Sequence, residues 1–239
     1  MNDIILLYII LFLLICIQSI AGVGILVIGT PILLVLNFNI VEIMSILLPI
    51  SILTSALNIL FIKINEKKKI IKIKNKNLIL FFLLCIPSVF IGLYLLKIFN
   101  EKFSIEYFVV IVIFLTFLFS KINKNAKKLN KKLNFLFFIL IGVVHGITNS
   151  GGSLLSLFIS SYERKFKASY EITVFYFFLA LFQYVMFLII FEFLIIYEYL
   201  FVILLIPMGV ILGNIITKFI NESSYKLLIN YLALLSCIV

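Results

Sequence analysis

The chain has 239 residues, of which 64% are hydrophobic and only 13% are charged, and its formal net charge is +10. Soluble domains are about half apolar and about a quarter charged. A soluble core of this size could not hide so much apolar surface, so the composition excludes a soluble domain and indicates an integral membrane protein. The lysines fall in loops between apolar segments, which favours a role in membrane topology and predicts no nucleic-acid partner.

Apolar segments separated by short polar stretches follow one another along the chain and predict an all-α fold. A straight helix needs about 20 residues to cross roughly 30 Å of hydrocarbon. Several segments reach or approach this length, and others are clearly shorter. The segments lie at residues 4–21, 23–36, 42–62, 78–96, 104–120, 135–149, 153–161, 169–191, 198–217 and 224–239.

Two neighbouring pairs of segments are separated only by glycine-rich breaks. Residues 22–24 (GVG) interrupt the first pair, and residues 149–152 (NSGG) interrupt the second. At 1.5 Å per residue, the shorter members of these pairs reach only about 14 to 21 Å. They therefore predict broken helices or re-entrant hairpins instead of complete spans.

The distribution of basic residues predicts the orientation of the spans. Loops 63–76 and 121–132 are rich in lysine, so the positive-inside rule places both in the cytoplasm. The basic cluster at 164–167 belongs to the same side only if residues 135–161 enter the membrane and return. This gives a hairpin plus three spans, twice and in inverted orientation, or about eight transmembrane or re-entrant helices. If both hairpins instead crossed the membrane, the cluster at 164–167 would face outside.

The same pattern divides the chain into two repeats. We expect a first membrane repeat at residues 1–120, a basic cytoplasmic linker at 121–134 and a second membrane repeat at 135–239. Asn58 and Gln183 lie at matching depths in the spans that follow the two breaks, which supports the repeat in the sequence itself.

Residues 145–153 (HGITNSGGS) are polar and helix-breaking, although the neighbouring segments are apolar. Unpaired backbone N–H and C=O groups cost several kcal/mol each in hydrocarbon, so such a stretch persists only where it is buried in protein or lines a wet cavity. The helix that begins at Ser153 points its free N–H groups at this break, and a helix N-terminus attracts anions. A helix beginning near Leu26 offers a second such end. Since no basic residue lies deep in any span, these ends predict a site for a small anion near mid-depth.

The two breaks also carry a family likeness. Residues 18–24 (QSIAGVG) followed by residues 31–34 (PILL), and residues 142–152 (GVVHGITNSGG) with the pattern G-x-x-x-G-x-x-x-x-G-G, resemble the two repeat signatures of the sulfite exporter TauE/SafE family. The likeness spans essentially the whole chain. It implies a membrane protein of two repeats that moves small anions, often sulfite or organosulfonates, across the cytoplasmic membrane.

Candidate substrate-binding residues lie in and beside the two breaks. They are Gln18, Gly22, Gly24, Pro31, His145, Thr148, Asn149, Ser150, Gly151, Gly152 and Ser153. Three polar residues in the middle of spans are candidates for a second lining of the cavity, and these are Thr54, Asn58 and Gln183. Helix capping by Asn149 and Ser150, and hydrogen bonding between helices by the mid-span residues, remain open as structural alternatives. Close helix packing is the favoured role of Gly92, Gly142, Gly209 and Gly213.

Together these features predict a secondary transporter of small anions that works by alternating access between inverted repeats. The lipid bilayer and a small anionic solute are its expected partners, and no cofactor, metal or enzymatic activity is expected. His145, Glu42 and Glu171 leave coupling to protons or to another ion open. A passive anion channel remains an alternative, because channels and carriers use similar broken helices. An intramembrane serine enzyme is disfavoured, because Ser150 and His145 share one segment, whereas a catalytic pair faces its site from different helices.

Overall fold

The computed structural model describes residues 2–65, 73, 75–99, 131–191 and 201–236, and every regular element within these ranges is helical. The predicted segment at 104–120 and most of the two basic loops lie outside the described residues. The helices are α1 Asn2–Ala21, α2 Ile25–Val35, α3 Ile40–Asn65, α4 Asn75–Leu80, α5 Ile86–Phe99, α6 Lys131–Thr148, α7 Gly151–Tyr162, α8 Lys165–Phe191, α9 Val202–Phe219 and α10 Glu222–Leu235. A π-helical turn, Phe81–Cys85, joins α4 to α5.

The helices divide by length into spans and shorter pieces. In the described part of the chain, α3, the joined α4–α5 helix, α8 and α9 are long and apolar enough to cross a membrane. This confirms an all-α, multi-pass membrane fold. In contrast, α2 has 11 residues and α7 has 12, which is only about 16 to 18 Å of helix. Both short helices follow the breaks from which the sequence predicted them.

Each short helix folds back on the helix before it. Gly29 of α2 lies against Leu14 of α1. In the second repeat, the ring of Phe158 in α7 packs on Phe137 and Phe138 of α6, with centroids 5.4 and 5.6 Å apart. The pairs α1–α2 and α6–α7 are therefore helical hairpins, as predicted.

The ends of the helices show which loops share an end of the bundle. Phe61 near the end of α3, Arg164 between α7 and α8, and Lys218 at the end of α9 line one common cavity. At the other end of α8, the Lys97 ammonium donates to the carbonyl of Ile190 at 2.8 Å. The cluster at 164–167 therefore lies at the same end of the bundle as the end of α3. This is the arrangement that re-entrant hairpins predict, and whether the hairpins cross the membrane stays a prediction.

The packing of the helices repeats when the two halves of the chain are exchanged. Helix α1 packs on α9, and the corresponding α6 packs on α5; α2 packs on α3, and α7 packs on α8. The helices α3 and α8, which occupy equivalent places, pack on each other. Each hairpin thus contacts the fourth helix of the other repeat, which is α9 for hairpin α1–α2 and α5, joined to α4, for hairpin α6–α7. The two repeats therefore interlock. The boundaries at 1–120, 121–134 and 135–239 stay a prediction.

Glycines make the two contacts between hairpins and fourth helices close. Gly142 and Gly146 of α6 face the backbone of the π-helical turn and of α5 so tightly that an added Cβ would collide with the carbonyls of Cys85 and Val89. Added Cβ atoms on α9 would likewise collide with α1. Small residues spaced four apart bring helix backbones together in this way. The prediction of a packing role is confirmed for Gly92, Gly142, Gly209 and Gly213.

The distribution of side chains is that of a membrane protein with a polar interior. Large apolar side chains such as Leu83, Leu204 and Met208 are exposed on the outer faces of the spans. Several polar side chains are instead fully buried at the centre of the bundle. They are Gln18, Ser51, Thr54, Ser55, Asn58, His145, Asn149, Ser153 and Gln183.

Candidate functional site

Both breaks use a left-handed backbone residue to end the first helix of the hairpin. The φ angle is 87° at Gly22 and 64° at Asn149. An added Cβ at Gly22 would lie 2.9 Å from Ile172 and from the carbonyl oxygen of Ser169, so both backbone angle and space require glycine there. Asparagine is among the few other residues that adopt this conformation readily.

The carbonyl groups that α1 leaves free at its end are all bonded by side chains from other helices. This satisfies the requirement that backbone groups inside a membrane find partners within the protein. The three donors come from α3, α8 and α10. They are Asn58 Nδ2 to Ser19 O at 3.2 Å, Ser169 Oγ to Ile20 O at 3.3 Å, and Tyr225 OH to Ala21 O at 3.0 Å.

Gln183 has the same task in the second repeat that Asn58 has in the first. Its Nε2 donates to the carbonyl of His145 in the last turn of α6 at 3.0 Å, and to Asn149 Oδ1 at 2.8 Å. Asn58 and Gln183 each lie 18 residues after the first residue of their helix. The predicted match in depth therefore reflects a shared role in holding a hairpin, and Thr54 is buried nearby on α3 without a hydrogen-bond partner.

Gln18 caps the short helix of the first hairpin. Its Oε1 accepts from the backbone N–H of Ile25 at 3.1 Å and from the Ser51 hydroxyl at 3.2 Å. Its Nε2 donates to the carbonyl of Ser51 at 2.9 Å and to Ser55 Oγ at 3.0 Å. Gln18 thereby fixes the first turn of α2 against α3, while Gly24 packs against its backbone.

Tyr176 of α8 bridges the beginnings of the two short helices, and no sequence pattern singled it out. Its hydroxyl lies beside the backbone N–H groups of Leu26 and Val27 in the first turn of α2. The hydroxyl makes no hydrogen bond of normal geometry there. Its ring lies against Gly152 in the first turn of α7, and 5.9 Å from the centroid of the His145 ring.

Asn149 joins the two hairpins. Its Nδ2 donates to the Thr30 hydroxyl of α2 at 3.1 Å, while its Oδ1 accepts from Gln183. Ser150 stands before α7 but makes no capping hydrogen bond with its side chain, and its hydroxyl donates to Thr148 O at 3.4 Å. The capping role is therefore wrong for Ser150, and the Asn149 amide is used between helices instead.

The remaining candidates lie at the edge of this arrangement. The Thr148 hydroxyl donates to Val144 O at 2.9 Å, and the Ser153 hydroxyl to Ser150 O at 2.6 Å, so both are engaged within their own hairpin. Pro31 is buried inside α2, more than one turn beyond its start.

The centre of the site contains polar atoms that no other described residue satisfies. They are both ring nitrogens of His145, the Tyr176 hydroxyl and Gln183 Oε1. Gly151 packs directly on His145, so these groups surround the start of α7. Buried polar groups without partners are costly, and they commonly mark the place of a ligand or of water. Among the described residues, no group of three histidine, cysteine or acidic side chains is arranged to hold a metal ion.

The two glutamates near helix starts differ in their surroundings. Glu42 and Asn39 form a reciprocal capping box at the start of α3, with bonds of 2.9 and 3.0 Å. Glu171 lies in the second turn of α8, is almost fully buried, and accepts from the Tyr162 hydroxyl at 3.3 Å. Helix capping thus explains Glu42, whereas Glu171 is the buried one of the two glutamates.

An all-helical membrane protein whose two broken hairpins meet at a buried polar centre has the construction of a membrane transporter. A comparison with protein families gives the family: the model of Sulfite exporter TauE/SafE matches residues 7–239. The chain belongs to this family, whose members are membrane transporters of sulfite or other anions. No curated protein and no solved structure matches the chain.

Proposed function

We propose that this protein is a secondary transporter that moves small anions across the cytoplasmic membrane by alternating access. Sulfite-like oxyanions and organosulfonates are the proposed substrates. One observation carries the proposal: the first turns of α2 and α7 face a common buried centre, where Tyr176 contacts both. Family membership supports the same class of substrate.

The chemistry of this centre suits an oxyanion. Each helix N-terminus carries roughly half a positive charge, and its free N–H groups are donors of fixed direction. Gln18 accepts from the N–H of Ile25, and the Tyr176 hydroxyl lies beside the N–H groups of Leu26 and Val27, so these donors are gathered at one place. The Tyr176 hydroxyl and the His145 ring add further polar groups at this centre. Such donors are strengthened by the low dielectric of the membrane interior, so no buried lysine or arginine is needed.

The interlocked hairpins offer a mechanism for alternating access. The site lies between hairpins α1–α2 and α6–α7, which the Asn149–Thr30 hydrogen bond joins. Each hairpin rests on the opposite repeat through a glycine contact. A rocking motion of one hairpin against the other would expose the same site first to one side of the membrane and then to the other.

The orientation follows from the basic loops. We propose that loops 63–76 and 121–132 lie in the cytoplasm, together with Arg164. A cysteine placed at Arg164 should then react with a membrane-impermeant thiol reagent only when the cytoplasmic face is open to it. Reaction in intact cells, from the outside, would reverse the proposed orientation.

The proposed function is tested by counterflow in proteoliposomes. Labelled sulfite should accumulate transiently in vesicles preloaded with unlabelled sulfite, saturate with concentration, and be suppressed by sulfonates or other oxyanions. Uptake that does not saturate and shows no counterflow would indicate a passive channel. Folded protein that exchanges no anion would remove the proposal.

A further inference from the structure

A cavity of about 490 Å³ opens where the ends of α3 and α9 meet the starts of α8 and α10. It is separate from the site between the hairpins. Its lining includes the basic residues Arg164, Lys165 and Lys218, the acid Glu222 and the amide of Asn214.

The charges around this cavity leave an excess of positive charge. Glu222 is paired with Lys226 at 3.4 Å. The Lys165 ammonium donates to the carbonyls of Thr217 and Ile220, so it is fixed at the C-terminal end of α9. Arg164 and Lys218 are exposed and, within the described part of the chain, form no ion pair. Two cations that line the cavity therefore have no carboxylate partner among the described residues.

A chain of amides leads from the cavity toward the first break. Asn214, which lines the cavity, donates to Asn58 Oδ1 at 2.7 Å. Asn58 in turn donates to the carbonyl of Ser19 in the last turn of α1 at 3.2 Å. The break at Gly22 follows directly. Hydrogen-bonded amides thus link the lining of the cavity to the end of α1.

We propose that this cavity is a vestibule that collects small hydrated oxyanions on the cytoplasmic side and delivers them to the site between α2 and α7. The inference rests on the proposed function. A recess with an excess of one sign of charge concentrates ions of the opposite sign. The site itself has no cationic side chain, so Arg164 and Lys218 supply the long-range attraction that it lacks. A volume of about 490 Å³ holds a small oxyanion with several water molecules, each of which takes about 30 Å³ in the liquid.

A charge-sensitive labelling experiment tests the vestibule without transport. Thr217 lines the cavity, so Thr217→Cys, with Cys16, Cys85 and Cys237 replaced by serine, carries the reactive thiol. We compare its rates with sulfonatoethyl and trimethylammonioethyl methanethiosulfonate, which carry opposite charges. The anionic reagent should be favoured several-fold, and R164Q/K218Q should abolish this preference. The matched control K97Q removes one cation at the opposite end of the bundle and should leave it unchanged. A preference that survives R164Q/K218Q would overturn the proposal.

The phosphate of an anionic lipid has the same chemistry as a free oxyanion, and vesicle composition separates the two. In vesicles that contain phosphatidylglycerol, a lipid headgroup in the cavity would slow both reagents relative to phosphatidylcholine vesicles, and R164Q/K218Q would relieve this. That result would contradict a vestibule for solutes. Equal labelling rates in both kinds of vesicle, together with faster labelling by the anionic reagent, would support a vestibule for solutes.

Transport then links the cavity to the site. R164Q/K218Q should raise the KM for sulfite from the cytoplasmic face about five-fold at low ionic strength, less at high salt, and leave kcat unchanged. An unchanged KM, with wild-type counterflow intact, would overturn the vestibule alone. Absent counterflow with charge-selective labelling intact would remove the proposed transport function and leave the anion-collecting cavity in place.

Discussion

Four buried amide side chains hold the two breaks in position. Gln18 and Asn149 stand at the ends of the broken helices, and Asn58 and Gln183 support them from neighbouring spans. Because the membrane interior offers no water as a substitute, each group left unpaired by their loss costs about 1–3 kcal/mol. These amides keep the N–H groups of the short helices aimed at one place.

The Tyr176 hydroxyl is expected to bind the anion directly. Tyr176→Phe removes one donor to a charged ligand, which is worth about 1.5–3 kcal/mol, and so should raise the KM for sulfite by roughly ten-fold or more. Maximal counterflow should change little. The control Tyr184→Phe removes a half-buried hydroxyl from the same helix and should have no effect. An unaltered KM in folded Tyr176→Phe protein would exclude the hydroxyl from the site.

Asn58 and Gln183 should be equally important for stability, since each bonds the end of its hairpin's first helix. Asn58→Leu and Gln183→Leu are each expected to lower the free energy of unfolding by about 1–3 kcal/mol. The change should be measured as a lower melting temperature in detergent. The exposed Asn230 gives the control Asn230→Leu, which should be neutral. If only one of the two central variants were destabilised, the equivalence of the repeats at this position would be wrong.

Sequence patterns located most of these residues but not their partners. Gln18, Asn149 and Gln183 stand out because amides are rare in apolar segments. Tyr176 does not, because an aromatic residue in a helix rich in phenylalanine and tyrosine has the appearance of core. Its position seven residues before Gln183, on the same helix face, was the available signal. Thr30 and Ser51 were missed because small hydroxyl residues are common in membrane helices.

At the scale of helices, the breaks and the glycine contacts determine the architecture. Glycine and asparagine end α1 and α6 inside the membrane, and the short helices then return along them. The bounds of the described helices lie within a few residues of the apolar segments, since hydrophobic length is the dominant signal in a membrane protein. The glycine spacing predicted close packing, but it did not reveal that α6 packs on α5 and α9 on α1.

The contact between α9 and α1 should not tolerate a larger residue at its centre. An added Cβ at Gly213 would lie 2.6 Å from Ser19 Cβ and 2.7 Å from Cys16 O. Gly213→Leu should therefore destabilise the protein by about 1–3 kcal/mol or more, through overpacking, and lower transport with it. The adjacent Leu212 is exposed to lipid, so Leu212→Phe should be nearly silent. Thermal unfolding in detergent measures both, and a stable Gly213→Leu variant would contradict the close contact.

At the scale of the whole molecule, the two repeats depend on each other. Each hairpin rests on the opposite repeat, and α3 packs on α8 at the centre. This interlocking places the first turns of α2 and α7 at one buried point, which neither repeat could form alone. Charge counting predicted the two hairpins, because a loop's basic residues report its side of the membrane, and the side itself stays a prediction. The pairing between repeats arises from side-chain fit across the bundle, which linear periodicity does not encode.

The central claim is that a small oxyanion binds between the first turns of α2 and α7. Selenite has the shape and charge of sulfite, and its selenium atom scatters X-rays anomalously. Crystals of the protein with selenite should show one strong anomalous peak within hydrogen-bonding reach of the backbone N–H groups of Leu26 and Gly152 and of the Tyr176 hydroxyl. Excess sulfite should remove it. A selenium peak that excess sulfite removes, but that lies elsewhere in the bundle with none between these helix ends, would contradict the account.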